Sequence, residues 1–129
     1  MKFIDNDDIR ISKIIIIKDK KELEKYTDDD FFLEKVFIKN DILETSISYN
    51  GGCKVHNFFL VGLVNKHMGV SEIPLYLFHN SNNDYCKKIV IENLYFNLLP
   101  LKKQIFNESI NNKKIKLKIK NKIIEYRDR

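Results

Sequence analysis

Several residue types are missing or scarce in this 129-residue chain, and the absences narrow what the protein is. There is no tryptophan and no alanine, and only four glycines, two prolines and two cysteines occur. The segment "KIIIIK" holds four consecutive apolar residues, far fewer than the roughly 20 that a membrane-spanning helix needs. The first residues, "MKFIDNDDIRISK", do not have the basic region followed by an apolar region that is typical of a signal peptide. The sequence therefore predicts a cytoplasmic protein without a membrane span, or an exported or lipoprotein-like one if a leader has been removed.

The positive charge does not by itself indicate a nucleic-acid partner. The formal net charge is +5, but lysine, isoleucine and asparagine are all abundant, which is typical of an AT-rich genome. In "KIKLKIK" the apolar side chains Ile115, Leu117 and Ile119 share one face of a strand, and lysines occupy the other. A site for single-stranded nucleic acid would place aromatic stacking platforms among such lysines. Binding to nucleic acid is therefore not expected.

The pattern along the chain is mostly β, and it predicts one domain over residues 1–129. Apolar and β-branched runs bounded by turn residues indicate strands, and Asp19 with Glu22 has the order of a capping box before a short helix at 19–26. Asn40-Asp41 between two runs is a hairpin signal. The predicted strands cover 9–19, 31–40, 41–50, 56–65, 72–80, 86–100 and, as one or two strands, 114–126. We expect an all-β, antiparallel β-sandwich or barrel-like fold of seven to nine short strands with at most one short helix.

Both cysteines and two of the three histidines lie at the predicted strand ends. The spacing is C-x2-H at Cys53 and His56, followed by H-x6-C at His79 and Cys86. Zinc prefers tetrahedral cysteine and histidine ligands that are supplied as two close pairs. The pattern predicts a Cys2His2 site made of these four residues.

The local sequence around the pairs agrees with that prediction. Gly51 and Gly52 precede Cys53, and they would allow a tight turn with positive φ close to an ion. His56 shares its strand phase with Phe58 and Leu60, so its side chain should point inward. The ion would pin two loops of a binding domain for a protein or small ligand, with zinc as first choice and copper(I) as second.

The loop "HNSNND" supports a second interpretation. Asn80, Asn82 and Asp84 stand at alternate positions, as ligands do at the start of a calcium loop. The downstream carboxylate at Glu92 is one position too far, and only one of the three side chains is charged. An Asx-rich turn is the favoured interpretation, with Asp84 as a hydrogen-bond acceptor for a ligating histidine.

Two further interpretations remain open. Cys53 could be a thiol nucleophile activated by His56 or His79, or a metal could act as a Lewis acid, which would make the protein an enzyme. Alternatively Cys53 and Cys86 could form a disulfide in an exported interaction domain without a metal. The sequence favours a binding domain over an enzyme and names no catalytic residue.

The segments "SISYNGGCKVHNFFL" and "LFHNSNNDYCKKIVIENLYFNLLPLK" also resemble a pattern of small uncharacterised bacterial proteins, some of them predicted lipoproteins. In that pattern Gly-Gly-Cys-x-x-His-x-Phe is followed by His-Asn-x-Asn-x-Asp-x-Cys and Leu-x-Phe-[Asp/Asn]-Leu. Asn50 and Asn97 stand where the pattern often has glycine and aspartate. The matching residues are Cys53, His56, His79, Asn80, Asn82, Asp84 and Cys86. The resemblance implies that these residues form one site and that export is an option, and it implies no activity.

Overall fold

The computed structural model describes residues 10–65, 72–106 and 114–127. Within these ranges it has nine strands, one 3-10 helix (Lys20–Lys25) and one α-helix, α1 (Leu99–Phe106). The strands are β1 (Ile11–Lys13), β2 (Ile15–Ile17), β3 (Phe32–Lys39), β4 (Ile42–Gly51), β5 (Asn57–Leu63), β6 (Glu72–Asn80), β7 (Lys88–Asn97), β8 (Lys114–Ile119) and β9 (Lys122–Arg127).

The strands form two sheets, with orders β1-β7-β4-β3 and β2-β5-β6-β8-β9. The all-β sandwich predicted from the sequence is confirmed. Neither described helix is long and apolar enough to cross a membrane. The predicted turns at 66–71, which include His67, and most of 107–114 lie outside the described residues.

Two local predictions are confirmed in detail. Asn40 and Asp41 both have positive φ and join β3 to β4, as a tight hairpin turn requires. Asp19 caps the 3-10 helix, accepting a hydrogen bond from the backbone of Lys21, and Glu22 completes the capping box.

The first predicted strand divides between the two sheets. β1 pairs parallel with β7 and β2 pairs parallel with β5, while the buried Ile14 between them crosses the sandwich. β6 and β8 are also parallel neighbours. The sheets are therefore mixed rather than wholly antiparallel. A β-branched run indicates that a strand forms, but it carries no information about the direction of its neighbour.

Helix α1 is a second helix, one more than the sequence predicted. It begins where the predicted strand 86–100 ends, and it buries Leu101 and Ile105 against the core. The four-residue spacing of these two side chains was a helical signal, but it is too short to stand out next to a long strand pattern. Pro100 falls in the first turn, where its missing N–H costs nothing.

One core spans both sheets. Leu43, Ile47 and Phe96 of the first sheet pack in the same cluster as Leu60 and Leu117 of the second. In β8 the alternation is as predicted, with the three apolar side chains buried and the lysines exposed. The two sheets thus share one buried cluster of side chains.

Two loops cross between the sheets at the same end of the sandwich. The segment 52–56 leads from β4 to β5, and the segment 81–87 returns from β6 to β7. Gly51 pairs with Lys88 in one sheet and Asn57 pairs with Asn80 in the other. The pairing therefore holds both ends of each loop beside the ends of the other.

Candidate functional site

The two crossing loops are joined covalently. Cys53 and Cys86 form a disulfide that links positions 33 residues apart, with a Cα–Cα distance of 5.9 Å. Cys53 is exposed and Cys86 is half-buried. The structure therefore agrees with the disulfide interpretation of this cysteine pair, and neither sulfur is a free thiol.

A buried carboxylate joins the same loops without a covalent bond. Asp84 Oδ2 accepts hydrogen bonds from the backbone N–H of Cys53 at 3.0 Å and of Lys54 at 2.9 Å, and Oδ1 accepts one from Cys86 at 3.0 Å. The ring of His56 and these backbone groups hold the pKa of Asp84 well below its ordinary range. Asp84 is therefore an ionised carboxylate at the centre of the loop pair.

The two predicted histidines form a hydrogen-bonded row that begins at this carboxylate. His56 Nε2 lies 2.9 Å from Asp84 Oδ2, and His56 Nδ1 lies 2.8 Å from His79 Nε2. His79 Nδ1 faces the backbone oxygens of Asp30 at 3.0 Å and Asp29 at 3.3 Å. Both rings are buried, and His79 is 1% exposed.

The partners of this row determine which ring nitrogens act as donors. Carbonyl and carboxylate oxygens only accept, so His79 Nδ1 and His56 Nε2 must both carry hydrogen. One more hydrogen must lie between His56 Nδ1 and His79 Nε2 to make their contact a hydrogen bond. The row is therefore continuous from the Asp84 carboxylate to the backbone oxygens of Asp29 and Asp30.

Aromatic side chains enclose the histidine pair. Tyr49 stacks on His56 with ring centroids 4.1 Å apart, and Phe58 stacks on His79 at 4.4 Å. The hydroxyl of Tyr49 donates to Glu92 Oε2 at 2.5 Å. Burial of Tyr49 raises its pKa most, and this hydrogen bond raises it further. The surroundings of the two histidines are therefore the faces of aromatic rings, and the one hydroxyl among them, that of Tyr49, is hydrogen-bonded.

The two glycines have different roles. Gly52 has a φ of 106°, the positive value that the sequence predicted for this turn. Gly51 ends β4, and a Cβ built on it would lie 2.6 Å from His56 Nε2 and 3.0 Å from Asp84 Oδ2. Gly51 is therefore needed because the imidazole occupies the space of a side chain.

The predicted metal ligands come together, but not as one set of four. Cys53 Sγ, Cys86 Sγ and a carboxylate oxygen of Asp84 lie within 4.8 Å of one another, a group that includes neither His56 nor His79. The histidine nitrogens instead face each other, Asp84 and the backbone. Zinc or copper binding remains a prediction, and it would require the disulfide to be reduced.

The asparagines of the loop form a turn. The backbone of Asn82 donates to Asn80 Oδ1 at 2.9 Å, and the Asn82 amide donates to the oxygens of Val55 at 2.6 Å and Asn57 at 2.8 Å. Asn82 and Asn83 both have positive φ. This is the Asx-rich turn that the sequence favoured over a calcium loop, and it adds a third link between the loops.

Sequence reasoning did not identify Tyr49 or Asp29 as parts of this region, and it considered Glu92 only as a carboxylate for a calcium loop. Asp29 Oδ2 accepts from the backbone of Ser81 at 2.8 Å, and this contact lowers the pKa of Asp29. Its backbone N–H also donates to the His79 carbonyl at 2.7 Å. Asp29 lies in the run "TDDD", which connects the 3-10 helix to β3. Its short acidic side chains, which readily bind nearby backbone N–H groups, were the available signal.

No family model matches this chain, and no curated protein matches it. Among the solved structures that share its fold are a NigD-like immunity protein from Bacteroides caccae (TM-score 0.64, 16% identity), a protein of unknown function, DUF1344, from Bacteroides vulgatus (0.59, 17%) and a putative toxin-related protein from Parabacteroides distasonis (0.58, 16%). They cover 92%, 93% and 92% of this chain, which spans 59%, 56% and 60% of theirs. The similarity is one of fold, and these structural neighbours are bacterial proteins.

Proposed function

We propose that this chain is a disulfide-stapled domain that binds another protein and works in an oxidising compartment. The observation that carries the proposal is the Cys53–Cys86 bond between the two crossing loops. Disulfides form and persist in secreted and periplasmic settings, whereas cytosolic thiols are kept reduced. A covalent link between two loops at one end of a sandwich presents them in one fixed arrangement, which lowers the entropic cost of binding.

The buried polar row supports a structural role for the histidines. Each ring nitrogen of His56 and His79 already has a partner, and both oxygens of Asp84 accept backbone N–H groups. A general base needs a nitrogen within hydrogen-bond reach of its substrate. We therefore assign these residues to holding the loops rather than to catalysis.

The fold neighbours agree with a role in recognition. One is named as an immunity protein and another as a toxin-related protein. We take from these names the proposal that the sandwich serves contact with a second protein. Because the identity is 16% in both cases, the partner class is our inference from the fold and the disulfide together.

The redox state and metal content of one sample test this proposal against its metal-binding rival. The protein is produced in an oxidising compartment, denatured, and treated with an alkylating agent before and after reduction. We expect no alkylated cysteine before reduction, two after it, and no stoichiometric zinc or copper by elemental analysis. Two alkylatable thiols with one equivalent of metal would overturn the disulfide domain in favour of a metal domain. Two thiols without metal would return Cys53 to consideration as a nucleophile.

A further inference from the structure

Resting on the proposed binding function, we infer that the partner docks on the outer face of the first sheet, in a trough beside the disulfide loops. The trough is formed by Phe32, Ser48, Ile89 and Ile91. The partner surface that fits it is a protein surface with apolar side chains flanked by carboxylates. The disulfide loops and this face would form one continuous contact.

The register of three strands builds the trough. Phe32 of β3 pairs with Ser48 of β4, and Ser48 pairs with Ile91 of β7, so the three lie in one row across the sheet. The small serine lies between two large side chains and forms the floor. Ile89 stands two residues before Ile91 on the same face, opposite Asn50. The resulting groove has a volume of about 680 Å³.

The apolar walls are open to solvent. Phe32, Ile89 and Ile91 are 73%, 77% and 72% exposed. The adjoining loops expose two more large side chains, Val55 and Tyr85. Single exposed apolar residues are ordinary, but contiguous apolar surface on a soluble protein marks an interaction site. Tyrosine, exposed here at position 85 in the adjoining loop, is also enriched in binding hot spots.

Charge beside the trough indicates the chemistry of the partner. Lys54, Lys87 and Lys88 flank the disulfide, all three are exposed, and none forms an ion pair with a residue that the structure describes. Lys87 lies only two residues before Ile89. Lysines that are close to Ile89 in the chain and flank the disulfide favour carboxylates on a surface that covers both, which would speed association and fix its orientation.

The charges also favour a protein over the other occupants. Asp30 and Glu34 line the β3 side of the trough, and a uniformly anionic lipid surface would meet them with repulsion. A protein surface can place its carboxylates against the lysines alone. A second copy of this chain would bring another net charge of +5, which opposes self-association.

Peptide selection on the intact, oxidised protein tests the inference. Short random peptides displayed on phage are selected on wild type, and dissociation constants of the enriched peptides are measured by fluorescence polarisation. Ile91→Ser removes one wall of the trough, and Lys87→Glu reverses the charge of one lysine that flanks the disulfide. The matched controls are Ile123→Ser, at an exposed isoleucine of β9, and Lys116→Glu, at an exposed lysine of β8.

We expect the enriched peptides to combine acidic and apolar residues. Their affinity should fall about tenfold or more in Ile91→Ser, fall in Lys87→Glu, and weaken as salt rises, with both controls unchanged. Peptides that bind equally well to Ile91→Ser would overturn the docking face while leaving the binding function intact. Failure to enrich any peptide on wild type would count against both.

Two companion measurements address the other occupants. Sedimentation that shows a dimer abolished by Ile91→Ser would mean that a second copy covers the trough. Cosedimentation with anionic vesicles that depends on Ile91 and Lys87 would mean a membrane surface. Either result would overturn the proposed partner. The expected result is a monomer that does not cosediment with the vesicles.

Discussion

Asp84 illustrates how a single side chain organises this region at the scale of the residue. Its carboxylate receives three backbone N–H groups from the two loops and faces the imidazole of His56. A buried carboxylate is costly unless it is hydrogen-bonded, and these N–H groups and the imidazole supply its partners. The loops and the buried row therefore depend on the same ionised group.

Replacing Asp84 with asparagine should remove an acid-sensitive part of the stability. The pKa of Asp84 is lowered from its ordinary value of 3.8, so the unfolded chain binds the proton more readily than the folded protein does. The stabilisation is fully present above about pH 4 and is lost as the pH falls through the folded-state pKa. Urea unfolding near neutral pH and at about pH 3 should show a smaller difference in Asp84→Asn than in wild type.

The exposed Asp28, changed to asparagine, serves as the control for the loss of one carboxylate. That variant should keep the acid dependence of wild type. An unchanged acid dependence in Asp84→Asn would contradict the role assigned to the buried carboxylate.

Gly51→Ala should destabilise the fold by about 1–3 kcal/mol, the usual cost of overpacking. The added methyl group would lie 2.6 Å from His56 Nε2, and the ring is held between Asp84 and His79, so it has no room to move. Chemical denaturation measures the loss. Gly62→Ala is a matched control, because its nearest contacts are 3.2 and 3.3 Å away and are the ends of the Leu75 and Ile14 side chains. Equal losses in both variants would show that the imidazole does not make Gly51 special.

At the scale of the element, the crossing loops are the distinctive feature. They are linked by the disulfide, by Asp84 and by the Asn82 amide, which spans to Val55 and Asn57. The covalent link restricts the unfolded chain, whereas the hydrogen bonds act only in the folded protein. The loops should therefore keep their arrangement when the covalent link alone is removed.

The double variant Cys53→Ser/Cys86→Ser should fold but be less stable than the oxidised wild type. Closing a loop of 33 residues corresponds to about 4 kcal/mol in the chain-entropy model, and measured values for disulfides commonly reach 2–4 kcal/mol. Circular dichroism should show the same strand content, and guanidinium denaturation should give the lower stability. Wild type measured in a reductant should behave like the double variant. A double variant as stable as oxidised wild type would show that the bond adds nothing.

At the scale of the whole molecule, the sandwich is held by a buried cluster that both sheets share and by the segment that carries β1 into one sheet and β2 into the other. Ile14 lies between β1 of the first sheet and β2 of the second, and its side chain is buried in the shared cluster. Neither sheet can lose this segment without affecting the other. The molecule should therefore unfold as one unit.

Equilibrium unfolding should accordingly be a single transition. Far-ultraviolet circular dichroism reports the strands, and tyrosine fluorescence reports residues in both sheets, such as Tyr49 in β4 and Tyr126 in β9. The two curves should coincide, as expected for a small cooperative domain. Two separated transitions would indicate that the sheets are independent. Ile14→Ala should shift both curves together, because it should lower the free energy of unfolding by about 2–5 kcal/mol.

Local sequence determined much of this structure. The alternation of Ile115, Leu117 and Ile119 with lysines specifies which face of β8 is buried, because side chains along a strand point alternately to opposite sides. Asn40 and Asp41 tolerate the positive φ of a tight hairpin, and Asp19 supplies an acceptor for a helix start. These features depend on neighbours within a few residues, so the sequence by itself was sufficient.

The tertiary structure decided the features that join distant segments. The sequence placed Cys53, His56, His79 and Cys86 at strand ends, but it did not specify which of them would meet. The pairing of Gly51 with Lys88 and of Asn57 with Asn80 sets the crossing loops side by side, and this brings sulfur to sulfur and imidazole to imidazole. The physical reason is that phase along a strand fixes only the side to which a residue points. Its partner across space depends on strand order and direction, which the packing of the whole core selects.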